Sequence, residues 1–397
     1  MDTISRTALL TISVVIVCFL LAWGINRYRV TRHAPDAGSV QQSALTPANP
    51  GGEWPQFHGD QAQRGYVSGE LPEQLALVWR FKAGDEVKSS PAIVKNRVYA
   101  GSSDKHIYAI DMQTGKQVWS KLLDDQIEAS PTVVDNVVYI GTLNGTLYAL
   151  ASGSGTEQWK FPTGDKIIGG ANWFKDSDNR LNILIGSYDA FLYCIDAQNG
   201  ETVWTYETGN YINGSPAVGE KYCVFGGCDA FLHMISVSDG TKAGEIDTGA
   251  YIAGSAAIQG DYVYIANYDG ELLKISLATH EVIWRYTIEN DPFISSPAVT
   301  DEVVVIGGGD MNIHCVDSQT GQARWTYTTL DAVDSSPVIV GKNVLVGSDD
   351  GRLYLLSLAD GELLWTYETG RSITSSPAVA NGMVVVGCDD GMVYCFK

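Results

Sequence analysis

From residue 75 to the C-terminus the chain is a succession of short apolar runs, rich in Val, Ile, Tyr and Trp, separated by clusters of Gly, Asp, Asn and Ser. Runs of this kind bounded by turn formers predict β-strands. They come in sets of four: a strand at a Ser-Pro element, then, in the first set, "VYAG", "IYAID" and "QVWSK". Aligned on the serine, the copies fall at Ser90, Ser130, Ser215, Ser255, Ser296, Ser336 and Ser376, with a degenerate copy at Gly170 and Ala171. The steps are 40, 40, 45, 40, 41, 40 and 40 residues. A period of about 40 residues with four short strands is the pattern of a propeller blade. The predicted fold is all-β: an eight-bladed β-propeller of four-stranded antiparallel blades, preceded by an N-terminal transmembrane helix.

The turns repeat as well. Between the second and third strands stand Asp104, Asn144, Asp189, Asp229, Asp269, Asp310, Asp350 and Asp390, four of them followed by Gly. Asn-Gly and Asp-Gly suit tight hairpins with positive φ, which accounts for these residues without a metal ion. The next turn carries Gly115, Gly155, Gly200, Gly240, Gly321 and Gly361, with Trp119, Trp159, Trp204, Trp325 and Trp365 four residues later. Gly244 is the gap in the Trp series, and His280 replaces Gly ahead of Trp284. A repeated indole burying ~150–250 Å² predicts blade docking for Trp79, Trp119, Trp159, Trp204, Trp284, Trp325 and Trp365. Small residues beside the Ser-Pro elements fit inner strands crowded around one axis.

The last copy stops three strands in, at "VVVGCDDGMVYCFK". Residues 75–84, "LALVWRFKAG", match residues 361–370, "GELLWTYETG". Pairing of strand 75–84 with the C-terminal strands at 376–397 is expected to close the ring and leave no free sheet edge. The one long step, at residues 170–184, holds a five-residue insertion whose Asp-Ser-Asp-Asn predicts a longer turn.

The N-terminus has a different texture. Residues 8–25, "ALLTISVVIVCFLLAWGI", are uncharged, and as a helix would span about 27 Å, close to a bilayer core. The expected organisation is a membrane anchor, or a signal sequence, over residues 1–29, a disordered linker over 30–52 and a propeller over 53–397. An uncleaved anchor is favoured, because the apolar run is long for a signal sequence. Arg27, Arg29 and Arg32 follow the span and only Arg6 precedes it, which by the positive-inside rule argues for a cytoplasmic body.

Net charge of −20 and a pI near 4.6 exclude a phosphate-binding footprint and hence nucleic acid, and are compatible with a basic partner or a cation. Seven Cys residues form no CxxC or adjacent pair, so neither a disulfide framework nor a metal knuckle is expected. Cys194, Cys315 and Cys395 occupy an apolar strand position held elsewhere by Ala109, Ala149, Met234 and Leu355. The six His residues are scattered, and His233 and His314 replace the Tyr148 and Tyr193 of neighbouring copies.

The elements "IYAIDMQTGKQVW", "LLSLADGELLW" and "SSPAV" resemble the repeats of the PQQ-like β-propeller superfamily, in its BamB-like non-catalytic branch, over residues 75–397. The lead-in at 54–66, "WPQFHGDQAQRGY", is similar to one seen in uncharacterised bacterial members. The resemblance implies an extracytoplasmic, periplasmic body, against the flanking arginines. It admits two activities. Quinoprotein dehydrogenases of this fold carry an adjacent-cysteine disulfide, a calcium held by Glu and Asn, and an Asp base on long insertions. This chain has no adjacent cysteines and almost no insertions, so no enzyme, no cofactor and no metal are expected.

A binding surface remains. Ahead of each Ser-Pro strand an apolar residue precedes a position that changes chemically: Lys88, Glu128, Ile168, Asn213, Ala253, Ile294, Asp334 and Thr374. Lys88, Glu128, Asn213, Asp334 and Thr374 are the candidate channel-mouth binding residues. The expected function is that of a membrane-tethered, monomeric, non-catalytic scaffold for protein partners in the cell envelope, with BamB-like outer-membrane protein assembly as the nearest role. Partners would be held by loops between blades or by strand addition. The alternatives are a PQQ-dependent oxidoreductase and a ligand-sensing propeller.

Overall fold

Eight blades, each a four-stranded antiparallel sheet, with a short fifth strand added in parallel to the seventh, follow one another in the computed structural model, which describes residues 52–397. The expected anchor and all of the linker except Gly52 lie outside the described residues. Among the described residues, no helix is long and apolar enough to cross a membrane.

In blade 1 the strands run outward from the axis as Ala92–Val94, Arg97–Gly101, His106–Asp111 and Gln117–Leu122. Blades 2 to 7 repeat this order. The two middle strands are covered on both faces by neighbouring blades, so they read as nearly unbroken apolar runs and are buried at Val98, Tyr99, Ala100, Ile107, Ala109 and Ile110. The outermost strand is half exposed and alternates, with Trp119 inward and its neighbours outward. In blade 8, Ala378–Ala380, Met383–Gly387 and Met392–Phe396 are completed by Leu77–Lys82, which sets Trp79 opposite Cys395 and Arg80 opposite Tyr394. The start of the propeller is thereby stitched to its end.

One expectation is corrected. Ring closure does not remove sheet edges, because hydrogen bonding runs radially within each blade and the outermost strand of every sheet pairs on one side only. Closure removes the gap between blades 8 and 1 instead.

Each outer strand carries a β-bulge just before its tryptophan position, as between Ala109 and Ile110 opposite Trp119. The bulge turns the indole toward the next blade. There its N–H donates to a turn carbonyl: Trp79 to Met112, Trp119 to Ser152, Trp159 to Ala197, Trp204 to Val237, Trp284 to Ser318 and Trp325 to Leu358. The turn glycine of that next blade lies flat against the ring. A Cβ on Gly155 would sit 2.7 Å from Trp119, and the glycine's φ of 71° is left-handed. The two irregularities of the repeat turn out to be one exchange. Where blade 4 has Gly244 for Trp, blade 5 has His280 for Gly, and the imidazole fills the indole's place 2.8 Å from where a Gly244 Cβ would be. Trp365, the last of the series, packs edge-on against Phe396.

Candidate functional site

The axis is built from the Ser-Pro elements. In six of the eight elements the backbone N–H donates to the serine hydroxyl of the next blade, from Gly170 to Ser215 and on through Ser255, Ser296, Ser336 and Ser376 to Ser90, at 2.8–2.9 Å. Crowding is the reason for small residues one position earlier: a Cβ on Gly169 or Gly214 would meet the next blade's carbonyl at 2.6 or 2.7 Å.

Above this serine ring the structure brings together all eight positions that vary in the sequence. Lys88, Glu128, Ile168, Asn213, Ala253, Ile294, Asp334 and Thr374 line one axial cavity of about 170 Å³, together with the serines and Phe57.

Phe57 comes from a segment whose role sequence reasoning missed. Residues 54–67 circle the lower end of the channel, offering carbonyls to the inner strand of one blade after another. Ile93 bonds with Trp54, Val133 with Pro55, Val218 with Gln61, Ile258 with Ala62, Val299 with Arg64 and Ile339 with Gly65. Tyr66–Val67 then pairs parallel with Val338–Val340. Buried Asp60 holds Arg64 at 2.7 Å, and the Asn172 amide bonds Gln56 and Gln61. His58 stacks on Phe57, and burial lowers its pKa to about 4. The segment is polar, without apolar periodicity, and holds by its backbone, so no pattern announced it. The channel is consequently a cup, closed below by Phe57 and open at the face that carries the rim.

Two further sets of residues surround that opening. The residue just ahead of each turn Asp or Asn donates its N–H to a loop carbonyl, as in Tyr188 to Lys166, Cys228 to Tyr211, Tyr268 to Tyr251, Asp349 to Ala332 and Asp389 to Ser372. The signal for these residues was present: they change chemically from copy to copy, just as the rim does. The mouth is two-sided. Blades 3 to 6 present Ile168, Ala253 and Ile294 with Tyr188 and Tyr211 stacked at 4.8 Å, and Tyr251 and Tyr268 are 56% and 47% exposed. Blades 7 to 2 present charge.

On the charged side Lys88 is engaged by Glu86 at 3.0 Å and Glu128 at 3.9 Å. Asp334, Asp349 and Asp389 make no ion pair among the described residues. Burial, then the neighbouring Asp334, Asp331, Asp389 and Asp350, push the Asp349 carboxyl up to about 7. Its Oδ1 is buried without a hydrogen-bond partner. Burial also raises Asp334 and Asp389. Asn213 donates to the Ile252 carbonyl, and the Thr374 hydroxyl donates to Asp389 at 3.1 Å.

The turn carboxylates have a different task. Asp104 accepts from Gly84 N–H and Tyr108 O–H, and Asp189 from Gly164 N–H and Tyr193 O–H, so each clasps a loop to its own blade. His233 and His314 take the tyrosine's part, binding Asp229 and Asp310 at 2.9 and 3.0 Å. Their other ring nitrogens meet Tyr206 and Tyr286 of the preceding blades. The thiols of Cys194, Cys315 and Cys395 are wholly buried and pushed up by it, so they are not poised as thiolates. Among the described residues no group of three or more His, Cys, Asp or Glu is arranged to hold a metal ion.

Similar solved structures include BamB from Moraxella catarrhalis, with 20% identity and a TM-score of 0.69 over 82% of this chain and 98% of that one. A quinohemoprotein alcohol dehydrogenase from Comamonas testosteroni aligns at 15% identity and TM-score 0.77, over 88% of this chain and 81% of that one. A europium-containing methanol dehydrogenase aligns at 13% and 0.72, over 87% and 98%. At these identities the likeness is one of fold, which catalytic and non-catalytic proteins share. No curated protein matches the sequence. A family model described as outer membrane protein assembly factor BamB matches residues 64–169, 144–296 and 229–396, and the chain belongs to that family.

Proposed function

We propose that this chain is a non-catalytic scaffold that captures a protein partner at the open mouth of its cup. The observation that carries the reading is the mouth itself, where variable residues of all eight blades converge over a floor sealed by the chain's own lead-in. A frame held constant by architecture with one face free to vary is what a recognition surface requires.

The competing reading, a quinone-dependent oxidoreductase, meets a charge mismatch. Pyrroloquinoline quinone carries three carboxylates and needs cationic partners. Among the described residues that line the cup, the one cation, Lys88, is already engaged by two glutamates, and the acidic group of Asp334, Asp349 and Asp389 adds further negative charge at the mouth. These residues do not fit the group.

The family description supports a finer role in the assembly of outer membrane proteins; in that role the apolar segment at residues 8–25 would serve as the tether and the propeller would lie on the periplasmic side. The arginines after that segment favour the opposite side, and a phosphatase reporter at the C-terminus decides between them. The test of capture is co-purification from membranes with and without charge reversal at Lys88, Glu128 and Asp334. Loss of the captured protein is expected. Full retention of every partner, or dye reduction on adding the quinone with calcium and an alcohol, contradicts the proposal.

A further inference from the structure

The mouth is not uniformly suited to any partner, because its two sides differ in chemistry. Over blades 3 to 5 an exposed aromatic patch flanks the cup: Tyr188 stacks on Tyr211, Lys166 lies 4.5 Å above the Tyr188 ring, and the backbone of Tyr268 is bonded to that of Tyr251. Leu330, in the loop leading to blade 7, is 70% exposed on the same face. Contiguous exposed apolar surface of this kind marks interaction sites, and tyrosine and tryptophan dominate binding energy where they occur. Across the opening the wall turns acidic: Asp334 lines the same cavity with Asp349 and Asp389 near it, none of the three makes an ion pair among the described residues, and the nearby Lys88 is held by Glu86 and Glu128.

We infer that the partner segment taken at this mouth is cationic and apolar together: a stretch of polypeptide that lays aliphatic or aromatic side chains on the tyrosines of blades 3 to 5 and extends an arginine or lysine into the cup against Asp334 and Asp349. The inference rests on the proposed capture role and names the chemistry of what is captured. Charge complementarity selects this occupant. The chain carries −20 overall, which repels acidic polypeptides and anionic lipid surfaces, and Asp349 Oδ1 is a buried acceptor with no donor of its own. The cup's floor at Phe57 limits insertion to about a single side chain, since the cavity is about 170 Å³, so the backbone of the segment stays at the rim. A guanidinium or ammonium group there relieves the crowding among the aspartates, and the binding site is therefore expected to strengthen as pH rises through neutrality.

The test uses the full chain and three fluorescein-labelled peptides of one length, read by anisotropy: one alternating arginine with leucine, one with glutamate for arginine, and one with serine for leucine. The arginine–leucine peptide is expected to bind about tenfold tighter than either other. Its affinity should fall on raising salt from about 50 to 500 mM. It should also fall about tenfold in the double variant Asp334→Asn with Asp349→Asn, and several-fold in Tyr211→Ser with Tyr251→Ser. Glu220→Gln with Asp261→Asn, on the closed face, controls for bulk charge and should change nothing. Equal binding of all three peptides, no binding, or equal losses from the closed-face control and the mouth variants overturns the inference. Thermal melts of the variants exclude unfolding as the cause. If the peptides fail while membrane co-purification still depends on Lys88, Glu128 and Asp334, the capture role stands and only the cationic, apolar assignment falls.

Discussion

At the scale of single residues the molecule is governed by pairs that sit in different repeats. Gly155 and Trp119 are such a pair: the glycine is needed both for its left-handed φ and because the indole occupies the space of a side chain. Gly155→Ala is expected to cost at least about 2 kcal/mol in denaturant unfolding, from the backbone penalty and the clash together. The exchange of Gly244 and His280 gives a sharper expectation. Gly244→Trp alone collides with the imidazole and His280→Gly alone leaves a void, but the double variant recreates the pair found between other blades. Coupling of about 1–3 kcal/mol is expected from the double-mutant cycle. Asp349 supplies the pH dependence. Its carboxyl is raised to about 7 in the fold, so the stability it contributes is present below the ordinary carboxylate range and is lost as pH rises through about 7. Asp349→Asn should flatten the stability profile between about pH 4 and 7, and a profile unchanged by the substitution contradicts this account of the mouth. The turn aspartates and the tryptophans were legible in the sequence because each repeats at a fixed place. The Gly244 and His280 exchange was visible there only as two unexplained gaps, because the contact that joins them is between blades.

At the scale of elements, the outer strand is where sequence and structure part company. "QVW" reads as plain alternation, yet in every blade a bulge precedes the tryptophan position, turning the indole inward and leaving its neighbour outside. Val118, Val203 and Ile283 are exposed for that reason. Adjacent substitutions should therefore behave oppositely. Trp204→Ala is expected to lower the local opening free energy of blades 3 and 4 by about 3–5 kcal/mol in hydrogen exchange. Val203→Ser should stay within about 0.5 kcal/mol. Comparable losses at the two positions would mean that the bulge does not separate their roles. Bulges escape sequence reading because they add a residue without disturbing the repeat length. The lead-in at 54–67 escapes it for another reason: its repeated bonds to the inner strands are made by backbone carbonyls, which every sequence has.

At the scale of the whole molecule, two connections join distant parts of the chain. Leu77–Lys82 closes the ring against Met392–Phe396, and the repeat count with its missing last strand made that closure readable. Residues 54–67 close the channel, and removing them should leave inner-strand N–H groups of Val133, Val218, Ile258, Val299 and Ile339 without their carbonyl partners. A chain beginning at Gly69 is expected to keep its β-rich circular dichroism while melting several degrees lower, since each lost bond is worth about 1 kcal/mol. An unchanged melting temperature would make the floor a passive wrapping. With the floor in place, a partner meets the cup from one face only. The most direct test of that claim is position-specific photo-crosslinking in cells, with the reactive residue at Thr374 or Tyr251 on the mouth and at Val203 on an outer strand. Discrete adducts from the two mouth positions and none from Val203 are predicted; adducts confined to Val203 would contradict capture at the mouth.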